Sequence, residues 1–448
     1  PNHTGHQRRA VTLVMYWRIH ADERRIFDTR GTAAMCWLPS SPTRRLAMHW
    51  PCSRLGAAAP IAACLSPDRF APHWGWHTES RQPILVARGF IMNHPDISRR
   101  RFLVAVGGAL VSASCAKAQA KPVVSLVRIR NGKTEAAVEE AIDLLGGIGA
   151  VTRGKERMFV KPNLVGPSPT YTTKPAVVET VARLMQQAKK DVRIGEASAS
   201  GPGLQYTPDT IEVTSNREML SRMQQAVFEQ LGYTELAKRL KVPLVNLHVG
   251  DLRQVKVPGG FVFQEVSLHP ELADADLLCS VPMMKTHIMA GVTLGMKNLI
   301  GAYPGQAYKS LRYTVHDEGA KVEPTAAAAT VVDMARVNRM GLVVIDGSEA
   351  MEGNGPSAGT AFRMDVIVAG TNPLATDMVA AAVMGFGVAE IPTFAWANKA
   401  GMTPAGLDEI EVRGQTIGAV KRDFVRPQLR TWASLREKMK VREVGAPA

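Results

Sequence analysis

A single apolar stretch, residues 283–301, carries three side chains that could each bear a positive charge. These are Lys285, His287 and Lys297, and the stretch contains no acidic residue that could neutralise them. A buried cation without a partner is unfavourable and tends to release its proton. Lysine and histidine also bind carboxylate and phosphate groups, and histidine transfers protons near neutral pH. The stretch therefore predicts that acids from elsewhere in the chain, or an anionic ligand, lie beside these residues.

Polar residues also follow short apolar runs that are typical of buried strands. They are Lys161 and Asn163 after the run 157–160, Glu196 and Ser198 after 191–195, Lys285 and His287 after 276–281, Asp346, Glu352 and Asn354 after 341–345, and Asn372, Thr376 and Asp377 after 364–369. In open parallel sheets, ligands bind in the crevice outside the carboxyl ends of the strands. We therefore expect these five strand ends to form one cleft.

One group of candidate residues would bind a negatively charged substrate. Cationic and amide side chains suit a carboxylate or phosphate, and a glycine-rich turn can bind an anion through backbone N–H groups. The predicted substrate-binding residues are Lys161, Asn163, Lys285, Lys297, Asn298, Gly353, Asn354 and Gly355. The turn at residues 353–356 is also typical of an ordinary tight turn.

A second group would supply oxygen ligands or move protons. Asp346, Glu352 and Asp377 could hold a divalent cation through their carboxylates, and they could equally neutralise the lysines in a buried network. We expect the catalytic acid and base to come from His287, His316 and Asp346. His316 lies in a segment that we expect to be a loop.

The elements that position these residues follow the pattern of an α/β protein. Apolar or β-branched runs end in turns with Gly or Pro, and amphipathic helical patterns follow several of them. The predicted strands are 123–129, 157–160, 191–195, 242–247, 276–281, 341–345 and 364–369, and the predicted helices are 134–145, 174–188, 220–240 and 373–384. The pattern predicts a mostly parallel sheet flanked by helices, with room for two lobes, an insertion at 204–218, a hairpin at 251–270 and a basic surface helix from residue 421 to 444.

The first 91 residues differ in composition from the rest of the 448-residue chain. They contain twelve Arg, no Lys, five acidic residues and five of the seven Trp, and the chain starts with Pro. No helical or strand periodicity extends over a useful length. We expect this block to be non-native upstream sequence or disordered, with Met92 as the initiator. Residues 121–448 hold 38 Lys and Arg against 34 Asp and Glu, so the overall charge of +14 does not predict a nucleic-acid partner.

Residues 92–120 are typical of an export signal. The sequence Ser98-Arg-Arg-Arg-Phe-Leu103 resembles the twin-arginine motif, and a short apolar stretch and Ala118-Gln-Ala120 follow it. The apolar stretch of about 14 residues is shorter than the roughly 20 that cross a bilayer, so no stable membrane span is expected. The segment predicts the twin-arginine translocation machinery as a partner, a mature chain that begins near Lys121 and a periplasmic or otherwise exported location.

Cysteine is scarce after Ala120, where only Cys279 remains, in an apolar strand. A lone cysteine in such a place is usually a small apolar residue of the core. One cysteine cannot build a disulfide, an iron–sulfur cluster or a cysteine-based zinc site within one chain. We therefore expect no iron–sulfur cluster, and a divalent metal stays open as a cofactor.

Five motifs recur together in a known family. The segments 159–165, 172–175, 281–287, 294–301 and 345–356 occur in this order in DUF362, a bacterial and archaeal family of uncharacterised function that the chain resembles over residues 123–413. Residues 372–377 fit the family pattern Asp-Pro-Val-Ala-x-Asp, with Asn at the first position. Through the second motif, the resemblance adds Thr173 to the substrate-binding residues. Many members carry a ferredoxin-like domain with cluster motifs. This chain lacks those motifs, so the electron-transfer role they imply does not extend to it.

Two hypotheses of different classes follow. The first is an exported enzyme that binds a small anionic substrate, a carboxylate or phosphate, in a cleft lined by Lys, His and Asp, with a metal as a further option. The second is a non-catalytic periplasmic protein that binds a ligand or metal in the same cleft. Turnover of a bound compound would distinguish them.

Overall fold

The computed structural model describes residues 120–207 and 209–445. Nearer the start of the chain it describes two antiparallel strand pairs, Ile26–Phe27 with Ala33–Ala34 and His73–Gly75 with Ile84–Val86. The chain divides into two units, Pro1–Gln119 and Ala120–Ala448, and the sections below concern the second. The predictions for residues 1–91 otherwise, and for the twin-arginine segment, lie outside the described residues.

Fourteen strands occur between residues 120 and 445 in the described parts of the chain. They are β1 Val123–Arg128, β2 Arg157–Pro162, β3 Asp191–Glu196, β4 Thr210–Val213, β5 Leu244–Asn246, β6 Arg253–Lys256, β7 Glu265–Leu268, β8 Leu277–Val281, β9 Met283–His287, β10 Gly291–Thr293, β11 Met340–Asn354, β12 Ala358–Gly370, β13 Glu411–Gly414 and β14 Lys440–Glu443. The seven predicted strands all occur, with ends shifted by a few residues. Strands β4, β9, β10, β13 and β14 were not predicted.

The central sheet has the strand order β13-β1-β12-β11-β8-β2-β3-β5. Its neighbours are parallel except around β12, which runs antiparallel to both β11 and β1. The prediction of a mostly parallel sheet flanked by helices is confirmed. Strand β9 continues beyond Pro282 and pairs with the later part of β11 and with β10. Because Pro282 has no N–H to donate, it interrupts the hydrogen bonds to β11 at the point where β8 ends and β9 begins.

Thirteen α-helices occur in the described part of the second unit. They are α1 Thr134–Asp143, α2 Ile148–Val151, α3 Pro175–Gln187, α4 Arg217–Gln230, α5 Tyr233–Leu240, α6 Pro270–Ala273, α7 Gly305–Tyr308, α8 Tyr313–Ala320, α9 Ala328–Val337, α10 Pro373–Val383, α11 Pro392–Lys399, α12 Ile417–Val420 and α13 Trp432–Arg436. Proline stands at the first position of α3, α10 and α11, where its missing N–H costs nothing. Gly232, in the left-handed conformation, divides the predicted helix 220–240 into α4 and α5.

Hydrophobic residues cover both faces of the sheet. Along β11, Val343 and Ile345 belong to one core cluster, whereas Leu342 and Val344 belong to the other. Alternate residues of a strand point to opposite faces, so a continuous apolar run indicates a strand that is buried on both sides. Cys279 is a buried, free thiol in β8 and packs in the second cluster.

Two peripheral predictions have different outcomes. The hairpin at 251–270 is confirmed, because β6 and β7 form an antiparallel pair. The basic surface helix from residue 421 is wrong for most of its length. Residues 421–431 form neither helix nor strand, α13 has five residues, and β14 pairs in parallel with β4. The described residues from 120 onward form one unit rather than two lobes. None of the described helices is long and apolar enough to cross a membrane.

Candidate functional site

The carboxyl ends of β2, β3 and β8 bring the first polar residues together. Lys161 lies near the end of β2 and aligns with Ser280 on β8, and Glu196 ends β3. Beyond Pro282, β9 carries Lys285 and His287 past that edge. The prediction that these strand ends share one edge of the sheet follows from their parallel registers.

Lys161 and Glu196 form a buried ion pair with Nζ–Oε distances of 2.8 Å. Nζ of Lys161 also donates to Asn298 Oδ1 at 3.0 Å and to Pro162 O at 3.2 Å. Glu196 accepts further hydrogen bonds from the N–H groups of Leu164 and Ala197. Burial lowers the pKa of Lys161, and the charge of Glu196 opposes this shift. All three ammonium protons of Lys161 have acceptors within the protein.

Asn298 and Thr173 are also fully engaged by the protein itself. Asn298 donates to the carbonyl of Lys161 and to the hydroxyl of Ser280, both at 3.1 Å, and its Oδ1 accepts from Lys161 and Asn163. The hydroxyl of Thr173 donates to Val281 O at 2.6 Å and accepts from the backbone N–H of Asn163. These side chains therefore hold the site together. In contrast, Oδ1 of Asn163 is buried without a hydrogen-bond partner in the described part of the chain.

Lys285 is fully buried, and its side chain makes a single hydrogen bond to the part of the chain that the structure describes, from Nζ to the carbonyl of Tyr171 at 2.5 Å. The ring of the same tyrosine lies 5.9 Å from Nζ. Burial, and then the charge of Lys297, lower the pKa of Lys285 well below its usual value. Because an ammonium group has three donors, Lys285 retains N–H groups for a ligand.

Lys297 is the first residue of the 3-10 helix Lys297–Ala302, and hydrogen bonds to Asp377 hold the backbone of the two residues before it. The carboxylate of Asp377 accepts the backbone N–H groups of Gly295 at 2.7 Å and Met296 at 2.8 Å. In residues 120–207 and 209–445, no hydrogen bond or ion pair involves Nζ of Lys297. Burial, followed by the charges of Arg312 and Lys161, lowers the pKa of Lys297 to about 7.

His287 and His316 adopt complementary tautomers. Nδ1 of His287 accepts the N–H groups of Met289 and Ala290, so Nε2 of this ring carries the proton. Nδ1 of His316 lies 3.3 Å from the carbonyl of Ala326 and donates to it, which leaves a lone pair on Nε2. Burial, and then the charge of Lys297, lower the pKa of His287 well below its usual value and that of His316 to about 3. His316 lies in α8, so the prediction that it lies in a loop is wrong.

The residues with unmet hydrogen-bonding capacity also keep a small contact with solvent. Exposed fractions are 7% for Asn163, 8% for His287, 8% for His316 and 9% for Lys297, against 0–2% for Lys161, Glu196 and Asn298. Because charges act on each other's pKa only over short distances, the effect of Lys297 on the pKa values of Lys285, His287 and His316 indicates that these groups lie near Lys297. These residues form the candidate site.

Arg312 is the main residue that the sequence did not predict. Its guanidinium is buried and donates to the carbonyls of Ile300 at 3.0 Å, Ser198 and Ala197. Burial lowers its pKa to about 10. The residue follows no strand and stands in a left-handed turn, so no local pattern marks it. Glu196 was noted as a strand-end residue, and it, rather than Asp346 or Glu352, is the acid that faces the lysines.

The three acids predicted as metal ligands do not converge. Asp346 accepts the N–H of Lys174 at 2.8 Å and both the N–H and the hydroxyl of Ser348, and burial raises its pKa. Glu352 lies six residues further along β11, about 20 Å away at strand spacing, and binds Arg422 and the N–H of Val425. No group of three His, Cys, Asp or Glu among the described residues is placed to hold a metal.

The residues after β12 lie at the wrong edge of the sheet for the predicted cleft. Because β12 is antiparallel, Gly370 aligns with Val343 near the start of β11. Asn372 and Thr376 therefore begin α10 at the amino edge of the parallel strands. Asp377 reaches the site only indirectly, through the backbone of Gly295 and Met296, and burial raises its pKa to about 7.

In the glycine-rich turn at 353–355, backbone N–H groups donate to backbone carbonyls and are not free to bind an anion. The N–H of Gly353 donates to Val425 O and that of Gly355 donates to Gly353 O, both at 2.9 Å. Oδ1 of Asn354 accepts the N–H of Gln428. The alternative interpretation of an ordinary tight turn therefore fits the structure, and the predicted anion nest does not.

The C-terminal segment 421–443 passes over the candidate site. The N–H of Arg430 donates to the carbonyl of Ile288 at 2.7 Å, next to His287. The indole of Trp432 packs on the ring of His316 at 4.9 Å and donates to Asp317 at 2.7 Å. One imidazole of the pair is therefore oriented by a residue more than 100 positions away in sequence.

Comparison with known proteins places the chain in a wider context. The model of the "Domain of unknown function (DUF362)" matches residues 158–382. The thylakoid-associated protein sll1697 of Synechocystis sp. is 28% identical over 291 residues, which cover 64% of this chain and 81% of that protein. A lactate racemase apoprotein from Thermoanaerobacterium thermosaccharolyticum superimposes with a TM-score of 0.36 and 12% identity over 59% of this chain and 58% of that chain. A protein from Thermotoga maritima superimposes with a TM-score of 0.30 and 14% sequence identity, over 49% of this chain and 51% of that chain.

Proposed function

The chain belongs to the DUF362 family, and on that premise we propose that it is an enzyme that binds a small carboxylate or phosphate and transfers a proton to or from it. Lys285 and Lys297 bind the anionic group. His316 accepts the proton and His287 donates one. The observation that carries the proposal is the imbalance of buried charge at the site, because four buried cations accompany the buried acid Glu196 and Nζ of Lys297 has no hydrogen-bond or ion-pair partner among the described residues.

Positive charge exceeds negative charge among the buried groups of the site. Lys161, Lys285, Lys297 and Arg312 are buried, and the charge of Glu196 acts on the pKa values of Lys161, Lys285 and Arg312. A buried cation with an incomplete set of partners is held at a cost in free energy. An anionic ligand beside Lys285 and Lys297 would offset that cost and stabilise their charged forms. Ligand binding should therefore be coupled to the uptake of protons.

The tautomers of His287 and His316 suit proton transfer. Nε2 of His316 has a lone pair, and Nε2 of His287 carries a proton, so one ring is set as a base and the other as an acid. In the unliganded site, the positive charge of Lys297 contributes to the low pKa values of both rings. A bound anion would offset that charge and raise both pKa values toward neutrality, where a general acid or base is most effective. Binding would thus activate the pair.

The test is binding followed by turnover. The full chain is titrated calorimetrically with small monocarboxylates, dicarboxylates and phosphate esters, and compounds that bind are followed by proton NMR in D2O. We expect heat of binding and deuterium incorporation at a carbon beside the anionic group. Binding without any exchange or conversion would support the non-catalytic ligand-binding alternative. Absence of binding by every anionic class would contradict both.

A matched pair of lysine variants tests whether ligand affinity depends on Lys285 itself or only on the total positive charge of the protein. Lys285→Met retains the side-chain volume and removes the donor, so the fold should persist while affinity falls by more than about tenfold. Lys238→Met removes an exposed lysine of α5 that pairs with Glu235 at 2.8 Å and should leave affinity unchanged. Equal affinity in both variants would remove Lys285 from the site.

We also propose that the protein is exported through the twin-arginine pathway to the periplasm or beyond. The support is the motif at residues 98–103 and the small residues at 118–120. Changing Arg99 and Arg100 together to Lys should leave the precursor in the cytoplasm, because the translocase reads both guanidinium groups. Arg101→Lys alone is the control and should be exported. Unchanged export of the double variant would show that the motif match is accidental.

A further inference from the structure

Lys297 differs from the other buried cations of the site in its lack of a partner. Lys161 pairs with Glu196, Lys285 donates to Tyr171 O, and Arg312 donates to three carbonyls. Nζ of Lys297 makes no such contact within the described residues, although the side chain is nine-tenths buried. Nζ of Lys297 is not among the fully buried side-chain atoms that lack a partner, so the small exposed part of this residue lets a ligand reach the amine. An accessible amine that no protein group occupies can have a chemical role beyond the binding of charge.

We propose that Lys297 is a nucleophile that forms an imine with a 2-oxo acid, a substrate in which a carbonyl carbon lies next to the carboxylate. The inference rests on the function proposed above, because Lys285 would hold the carboxylate while Lys297 reaches the adjacent carbon. Simple aldehydes would lack the anionic group, and simple carboxylates would lack the electrophilic carbon. The pairing of an anion-binding lysine with an unpartnered lysine fits a molecule that has both.

The amine is oriented by its surroundings. Asp377 fixes the two backbone N–H groups that precede Lys297, and Asn298, which follows it, has four hydrogen bonds. The backbone at Lys297 is therefore held from both sides. Attack on a carbonyl also requires the unprotonated amine. Burial beside Arg312 and Lys161 lowers the pKa of Lys297 to about 7, so a large share of the amine is unprotonated at neutral pH.

The two histidines can move the protons that the reaction requires. The amine nitrogen bonds to the carbonyl carbon, Nε2 of His316 takes a proton from that nitrogen, and His287 gives its Nε2 proton to the carbonyl oxygen. The hydroxyl then leaves as water with the proton held by His316, and the nitrogen–carbon double bond forms. His287 regains a proton from solvent. In total, one amine, one carbonyl and one proton give one iminium ion and one water, and no oxidant or reductant is needed.

The test is chemical trapping on the full chain. The protein is incubated with pyruvate at pH 7 in the presence of cyanoborohydride, which reduces an imine to a stable secondary amine. Intact mass and peptide mapping then locate the label. We expect one equivalent of reduced pyruvate on Lys297, ahead of any label on the exposed lysines, whose amines stay protonated at this pH. The labelling rate should rise with pH and level off above about 7.

Controls distinguish this inference from the function on which it rests. Lys297→Arg keeps the positive charge and cannot form an imine, so a folded Lys297→Arg variant should take up no label at this position. Propionate, which has the carboxylate but no carbonyl, tests anion binding by the wild-type chain. Propionate binding without a Lys297 label in the wild-type chain would overturn the inference and leave the proposed function standing. Failure of the wild-type chain to bind either acid would overturn both. A label that persists in a folded Lys297→Arg variant, or that is spread over surface lysines, would also overturn the inference.

Discussion

Buried charges in two regions of the molecule are handled in opposite ways. Around α9, the carboxylate of Asp333 accepts the N–H groups of Phe261, Val262 and Phe263 at 2.7–2.9 Å. Glu323, at the start of the same region, accepts the N–H groups of Thr325, Ala327 and Ala328. At the carboxyl edge of the sheet, cations are in excess, and Nζ of Lys297 has no hydrogen-bond or ion-pair partner within residues 120–207 and 209–445. Charges that are fully satisfied by the backbone stabilise the fold, whereas incompletely satisfied charges mark the place where a ligand can bind.

The largest effect is expected where a satisfied acid is removed. Asp333→Ala would leave three partly buried N–H groups without their acceptor, and hydrogen bonds to a charged group contribute about 1.5–3 kcal/mol each. Relaxation and water entry recover part of this, so we expect the free energy of unfolding to fall by about 4 kcal/mol. Urea denaturation followed by circular dichroism measures it. A loss below about 1 kcal/mol would contradict the idea that backbone hydrogen bonds to Asp333 stabilise the fold.

A smaller loss is expected where backbone packs on the ion pair. Gly301 lies against the pair, and a Cβ added there would come 2.6 Å from Nζ of Lys161. Gly301→Ala should therefore separate Lys161 from Glu196 and cost about 2 kcal/mol, as is usual for overpacking. Gly149→Ala in α2 is the matched control, because no atom lies within 4 Å of its added Cβ, and it should be neutral or stabilising. Equal stability of the two variants would contradict the close approach.

Lys297 should give the protein a dependence of stability on pH. Its folded-state pKa is about 7, below the ordinary 10.5. Between these pH values the unfolded chain holds a proton that the native protein has released, so the free energy of unfolding rises with pH by about 1.4 kcal/mol per unit for this one group. Asp377, with its pKa raised from 3.8 to about 7, acts in the other direction between those two values. Urea melts at pH 7.5 and 8.5 measure the slope, and Lys297→Met should reduce it. An identical slope in that variant would mean that Lys297 is ordinarily protonated.

The smallest effect is expected from an exposed pair next to the site. Arg436 lies 3.0 Å from Asp317, and the two side chains are 47% and 30% exposed. Solvent and salt screen such a pair, so Arg436→Ala should change the free energy of unfolding by less than about 0.5 kcal/mol. A larger loss would indicate that the segment above His316 is held electrostatically rather than by Trp432.

The sequence predicted the shared strand edge correctly because its signals are local. The apolar runs mark the strands, and Pro282 marks the point after which Lys285 and His287 follow. The placement of Asn372 and Asp377 was wrong because strand direction is not local. A turn of three residues joins β11 to β12, and such a short connection permits only antiparallel neighbours. The turn at 353–356 was recognised, yet its consequence for the direction of β12 was not drawn.

The choice of partners inside the site could not be predicted. Glu196, Asp346 and Glu352 all follow apolar runs, and only the three-dimensional register shows that Glu196 reaches Lys161. Arg312 and Trp432 act on the site from segments without strand or motif signals. Their positions depend on a left-handed turn at residue 312 and on a chain path that returns to the site from β13, so tertiary packing alone decides them.

The position of β1 has a consequence for the synthesis of the protein. Arg128 in β1 pairs with Val366 in β12, and Val124 pairs with Val412 in β13, so 238 and 288 positions separate the partners. When β1 leaves the ribosome, neither neighbour has been made, and an apolar strand with both edges open must wait for most of the chain. At about 5–20 residues per second this interval exceeds ten seconds. Unpaired edges promote association between chains, so a chaperone that shields residues 123–128 during translation should raise the yield of folded protein.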